Sequence, residues 1–192
     1  MTNLRKQYNG EMKKTLREEF GYKNDFQIPK IIKVSVNMGL GEAKDSEEIL
    51  KNAISAMEQI TGQKPRINKS RKSISGFKLR EGQIVGISVT LRGDRMFDFI
   101  ERLTTVALPR IRDFRGVADK SFDKCGNFSL GIREHIIFPE IKFDQVKNSI
   151  CLQVNISTTA EGQAEGKRLL ELFGFPFNKK AAPQVKTGEQ NG

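Results

Sequence analysis

The chain has no tryptophan, one histidine, two cysteines and no long apolar run. Each scarcity removes a class of function. Cys125 and Cys151 are too few and too far apart for a disulfide framework or a zinc site, so no metal is expected. Cys151 alternates within a strand-like run and reads as half-buried. With His135 alone, no Cys/His or Ser/His/Asp arrangement is nameable, and the carboxylates lie scattered among lysines. Arg133, Glu134 and Asp94 read as ion-pair and cap residues. No catalytic residue, no cofactor and no small-molecule substrate are therefore expected. No stretch approaches about 18 apolar residues, and MTNLRKQYNGEMKK holds no apolar signal core, so a soluble cytoplasmic chain is expected. Gly39 and Gly41 follow a strand, but no Gly-Lys-Ser/Thr and no third glycine completes a nucleotide loop. A tight strand-to-helix turn is the reading there.

What the chain does have is positive charge in one place. The net charge is +10 over 192 residues. Residues 1–58 carry ten basic and nine acidic side chains, residues 59–120 fourteen and six, and residues 121–192 nine and eight. The middle third thus holds +8 of the excess, which points to an anionic partner. Its densest part is Gln59–Arg80, QITGQKPRINKSRKSISGFKLR. There Lys64, Arg66, Lys69, Arg71, Lys72, Lys78 and Arg80 occur with no acidic residue among them. Ser, Gly and Pro interrupt the stretch, so it is no amphipathic helix and no membrane partner is expected.

Around it the chain is well patterned. Leu4, Tyr8, Met12, Leu16 and Phe20 predict a helix over 3–20 with Gly21 past its end. Ile32, Val34 and Val36 alternate with Lys33, Ser35 and Asn37, which predicts a half-buried strand. Residues 46–60 predict a helix started by an Asp45–Glu48 capping box. Pro65 confines a strand at 64–69 to a sheet edge. Residues 70–83 read as a long loop. In the next strand Val85, Ile87, Val89 and Leu91 oppose Gly86, Ser88, Thr90 and Arg92. Gly93 and Asp94 are expected to cap a helix over 95–108 ended by Pro109. Short strands at 128–132 and 150–156 follow, then a helix over 161–173 capped by Thr158 or Thr159 and closed by Gly174. The expected organisation is one domain over 1–180, with an extended lobe over about 109–147 and a small, polar tail over 181–192.

One-sided strands between helices predict an α+β fold: an antiparallel sheet with helices packed on one face and long functional loops. The uncovered face then carries Lys33, Ser35, Asn37, Ser88, Thr90 and Arg92. Lysine and arginine neutralise phosphates, while amides and hydroxyls on a rigid sheet suit base edges and 2′-hydroxyls of irregular RNA. The spacing of a zinc finger and the aromatic pair of the common RNA-binding sheet are both missing. A stand-alone RNA chaperone or regulator using this surface is one reading of it.

The runs NMGLGEA, ITGQKP, KSRKSISGFKLREG, VTLRG, ALPRIRDFRG, GNFSLGIREHIIFPEI and FGFPF resemble the bacterial large-subunit ribosomal protein that binds 5S ribosomal RNA, the L-five family. The resemblance covers about residues 1–180. It implies a structural protein that helps attach 5S ribosomal RNA in the central protuberance. It implies 5S contact through Asn37, Gln63 and Thr90, with Lys33 and Arg92 nearby and further RNA contacts from Lys64, Arg66 and Lys69. Large-subunit ribosomal RNA is the wider partner. Arg71, Lys72, Ser73, Gly76, Phe77, Lys78 and Arg80 of the long loop are implied to reach P-site transfer RNA. The lobe, with Arg112, Arg115, Glu134 and Glu140, is implied to meet a small-subunit head protein in an intersubunit bridge.

Overall fold

The computed structural model describes residues 3–41, 47–112, 114–118, 121–141 and 150–178. The expected Asp45 cap, the tail over 181–192 and the part of the lobe over 142–147 lie outside them.

Five strands form one antiparallel sheet in the order β2-β3-β1-β5-β4. They are β1 (Ile31–Gly39), β2 (Arg66–Lys69), β3 (Ile84–Leu91), β4 (Phe128–Ile132) and β5 (Leu152–Thr158). The helices are α1 (Asn3–Gln7), α2 (Lys13–Phe20), α3 (Glu47–Thr61), α4 (Gly93–Arg102) and α5 (Gln163–Leu172). The α+β expectation holds. Val34, Val36, Met38, Ile87, Val89, Leu91, Leu152, Val154 and Ile156 are buried beneath the helices. Phenylalanines fill the rest of that layer, with Phe99 on Phe138 and Phe122 on Phe128 at ring separations of 6.0 and 4.8 Å. Tyr8 joins them between Phe97 and Phe173. Its burial pushes the phenol up to about 12, and its hydroxyl donates to the Pro29 carbonyl at 3.0 Å. β2 is an edge strand, as Pro65 requires.

The N-terminal helical stretch is continuous but widens into a π turn over Tyr8–Met12 between α1 and α2. Apolar residues spaced by four drift about 40° per step around an α-helix, and the wider turn takes part of that drift back. Tyr8 and Leu16 are thereby buried, while Phe20 ends up exposed. Gly21 closes α2 at φ 68°, in the left-handed region. Glu19 of α2 accepts from Arg168 of α5, with Nε at 2.7 Å, which ties the first and last helices together.

Four expectations are corrected. Ile32 is not on the buried side. A bulge between Ile31 and Lys33 leaves Ile32 without a partner and half exposed, and Ile31 is buried instead. Asp94 does not cap α4; it pairs with Arg5 at 2.6 Å, and that hydrogen bond holds its carboxyl below the usual range. Thr158 and Thr159 do not cap α5, whose N-cap is Gly162. Thr158 ends β5, and its hydroxyl donates to the Gly126 carbonyl at 3.0 Å. Cys151 precedes β5 and is exposed rather than half-buried.

The stretch over 70–83 is also more ordered than a loop. Ser70 donates to Gln83 at 2.8 Å and Gly82 to Ser70 at 3.0 Å, so β2 and β3 run on into a hairpin arm. Ile74 and Leu79 exchange both backbone bonds, at 2.9 and 3.1 Å. The tip turns over Ser75–Phe77, and Lys78 follows in the left-handed region at φ 48°. Periodicity misses this arm because its side chains bury no common face.

His135 is buried and clips the lobe, just past β4, to the approach of β5. Its Nδ1 accepts the Ile150 N–H and stands 3.2 Å from it. Burial pushes the imidazole pKa down, against a smaller upward pull from the Ile150 carbonyl. Unfolded histidine takes a proton near pH 6.5, and the folded ring only at lower pH. In the window below about 6.5 the unfolded state therefore binds more protons, and stability falls as pH falls. His135→Gln keeps an uncharged acceptor and removes this component. Circular-dichroism melts at pH 7 and 5.5 should show a larger drop for the wild type than for the variant. Equal drops would refute the assignment.

Candidate nucleic-acid interface

Alternation within each strand and the pairing register together build the uncovered sheet face. Thr90 faces Ser35 across β3 and β1, and Asn37 faces Ser88. Asn37 and Thr90 are thus diagonal neighbours, roughly 7–8 Å apart at Cα. Continuing the pairing of Val34 with Leu91 by one residue brings Arg92 level with Lys33. Arg66 faces Ser88 from the edge strand, and Asn68 donates to the Ser88 hydroxyl at 3.0 Å. The sheet therefore gathers Lys33, Asn37, Thr90, Arg92 and Arg66 on one surface. Gln63 is on no strand. It leaves α3 half-buried, with its backbone held by the Thr61 hydroxyl, at the end of the sheet where β3 finishes. Lys64 follows it, exposed; Lys69 sits at the other end of β2, where the hairpin arm begins.

Sequence reasoning missed Asn68 and the whole polar side of β5. Gln153, Asn155 and Ser157 alternate with Leu152, Val154 and Ile156, so the signal was present. Their place beside β1 was not readable from the strand itself. In the structure Asn155 faces Ser35, Gln153 faces Asn37 and Ser157 faces Lys33. β4 extends the rows with Ser129 beside Asn155 and Gly131 beside Gln153. At Gly86, opposite Gly39 at the end of β1, a Cβ would stand 2.7 Å from the Met38 carbonyl, so this end of the face is kept flat by glycine.

The polar groups of this face are not used up internally. Asn68 and Ser88 satisfy each other, but the side chains of Ser35, Asn37, Thr90, Gln153 and Asn155 make no hydrogen bond to any described residue. The charges behave alike. Lys33, Lys64, Arg66, Lys69 and Arg92 form no ion pair with a described residue, nor do Arg71, Lys72, Lys78 and Arg80 on the arm. Elsewhere Arg5, Arg17, Lys51, Arg102 and Arg168 are all paired. The face and the arm thus concentrate positive charge that no described carboxylate offsets.

On the arm, Ser73 accepts from the Glu81 N–H at 3.0 Å, and Phe77 at the tip is 72% exposed beyond Gly76. Lys78 and Arg80 line a recess beneath the tip. The four lobe residues are not all brought together. Arg112 and Glu134 line an open groove of about 940 Å³, while Arg115 and Glu140 stand off it. Glu140 pairs with Arg102, whose guanidinium also donates to the Ile60 carbonyl at 3.0 Å, so this contact joins the lobe to α3 and α4. Among the described residues no group of three or more His, Cys, Asp or Glu is placed to hold a metal ion. No described helix is long and apolar enough to cross a membrane.

These features define a class: α+β proteins whose sheet keeps one face covered by helices and the other open, polar and positively edged. Residues 24–80 match the family model described as ribosomal protein L5, and residues 84–177 match the model for the C-terminus of that ribosomal family. The large ribosomal subunit protein uL5 of Natranaerobius thermophilus is 50% identical over 178 residues, covering 93% of this chain and 99% of that protein. The uL5 proteins of Desulfatibacillum aliphaticivorans and Geotalea uraniireducens are each 51% identical, over 93% and 92% of this chain and 100% and 99% of their own lengths. The chain belongs to the ribosomal protein L5 family, and so is a structural ribosomal protein without catalysis.

Proposed function

We propose that this chain is a component of the large ribosomal subunit in the bacterial cytoplasm and binds 5S ribosomal RNA on the open face of its sheet. Lys33, Asn37, Gln63, Thr90 and Arg92 make the contact, with Lys64, Arg66 and Lys69 gripping phosphates at the edge. The observation that carries this reading is the combination of unsatisfied hydrogen-bonding groups and unpaired positive charges on one flat surface. Such a surface stays hydrated until a polyanion with its own donors and acceptors replaces the water. By this contact the protein helps attach 5S RNA in the central protuberance.

The hairpin arm makes a separate contact with P-site transfer RNA. Its charges lie beyond the sheet, and its exposed Phe77 stands at the tip. Arg112 and Glu134, flanking the groove of the lobe, face a small-subunit head protein across the subunit interface, with Arg115 and Glu140 on the same lobe.

Titration against 5S RNA and against an unrelated RNA of equal length, at two salt concentrations, tests the main reading. Preference for 5S RNA should reach about a hundredfold or more and survive the higher salt. Equal affinities would leave only nonspecific charge binding. Replacing Lys72, Lys78 and Arg80 by alanine should leave 5S affinity within about twofold, yet lower transfer-RNA occupancy on assembled ribosomes. Loss of 5S binding in that variant would refute the division between face and arm.

A further inference from the structure

We infer that the RNA footprint continues past β1 onto β5, where Gln153 and Asn155 act as uncharged readers of the RNA. This rests on the reading of the sheet face as the 5S RNA interface. The register places Gln153 directly beside Asn37, and Asn155 beside Ser35, whose other neighbour is Thr90. Neighbouring strands stand about 4.8 Å apart. Gln153 is therefore one strand spacing from Asn37, and Asn155 is its diagonal neighbour, roughly 7–8 Å away, so a ligand held by Asn37 is within reach of both β5 side chains.

Three observations favour contact over bystander status. Gln153 is exposed and Asn155 half-exposed, and neither side chain bonds to a described residue. No described helix covers them, since the described helices pack on the opposite face, where Leu152, Val154 and Ile156 are buried. The charge also lies to one side of the sheet. β2 carries Arg66 and Lys69, β1 carries Lys33, and β4 and β5 carry no charged residue. A surface that bound phosphates alone would gain nothing from extending over β5. Side-chain amides there offer a donor and an acceptor each, which suits ribose 2′-hydroxyls and base edges. The minor groove of A-form RNA is wide and shallow and displays those groups. A flat face of short side chains lies against such a groove, with the charged β2 edge along the flanking phosphates.

The two halves should separate by salt dependence. The double variant Gln153→Ala/Asn155→Ala should lower 5S RNA affinity at least about tenfold and leave the slope of log affinity against log salt unchanged. Arg66→Ala should instead flatten that slope by about one unit. Wild-type affinity in the double variant, with Thr90→Val weakened, would end the footprint at β1 and overturn the inference while the interface stands. Wild-type affinity in both would overturn the interface itself. A flattened slope in the double variant would show that β5 acts through phosphate contacts and would also overturn it. If the alanine pair melts early, Gln153→Val/Asn155→Val, with high strand propensity, is measured in its place and read the same way.

Discussion

Thr90→Val is expected to weaken binding to 5S RNA by about 1–3 kcal/mol, or roughly 5- to 150-fold. Valine has nearly the shape of threonine and the same branching at Cβ, so β3 should keep its backbone and its pairing with β1. The Thr90 hydroxyl makes no hydrogen bond to a described residue, and the side chain is exposed. Its loss therefore costs the free protein nothing that a melting curve would detect. In the complex, the partner atom on the RNA is left desolvated without its bond. The size of the effect follows from that asymmetry, because an unmade buried hydrogen bond costs more than a made one contributes. An unchanged melting temperature with reduced affinity is the expected pair of results. Wild-type affinity would remove Thr90 from the interface, and with it the diagonal that Asn37 and Thr90 form across β1 and β3.

Gly166→Ala is expected to have the largest effect on stability. A Cβ at Gly166 would stand 2.4 Å from the Gly126 carbonyl oxygen and 2.8 Å from the Gly126 Cα. Both are backbone atoms, and neither can swing aside like a side chain. The Gly126 oxygen also accepts from the buried Thr158 hydroxyl, so the turn before β4 is pinned to the end of β5 as well as to α5. Gly126 itself is at φ 73°, which favours glycine there too. Overpacking of this kind costs up to about 3 kcal/mol, and the gain in helix propensity returns about 1. A net loss of about 2 kcal/mol corresponds to a fall of roughly 4–8 °C in a chain of this size. Gly10→Ala is the contrast. A Cβ there meets nothing within 4 Å, and its melting temperature should stay level or rise slightly. A Gly166→Ala protein as stable as the wild type would mean that α5 and the turn are not held against each other.

Much of this protein was legible one strand at a time. Alternation of Val85, Ile87, Val89 and Leu91 with Ser88 and Thr90 is a local property, because successive side chains point to opposite faces. The same period put Ser35 and Asn37 on the open side of β1. The excess charge of residues 59–120 located the positive edge without any structure at all. Where local pattern failed, the reason was also local. At Ile32 one unpaired residue shifts the phase, and a period of two has no means of showing a bulge. At residues 70–83 the backbone pairs with itself while the side chains share no buried face, so hydropathy shows nothing.

The sequence by itself determined which side chains are opposed within each strand, where the positive charge concentrates, and to which family the words of the chain correspond. Only the tertiary structure decided which strands are neighbours. Strand order β2-β3-β1-β5-β4 brings residues more than a hundred positions apart, Asn37 and Gln153, into one row. That pairing is set by the shared burial of Val36 and Val154 beneath the helices and by backbone bonds that carry no side-chain signature. The structure also decided which charges are spent. Arg5, Arg102 and Arg168 are used to hold helices and lobe together, while Arg66 and Arg92 remain uncompensated on the face. Charge counts do not distinguish the two groups, because the distinction lies in which carboxylates the fold brings within reach.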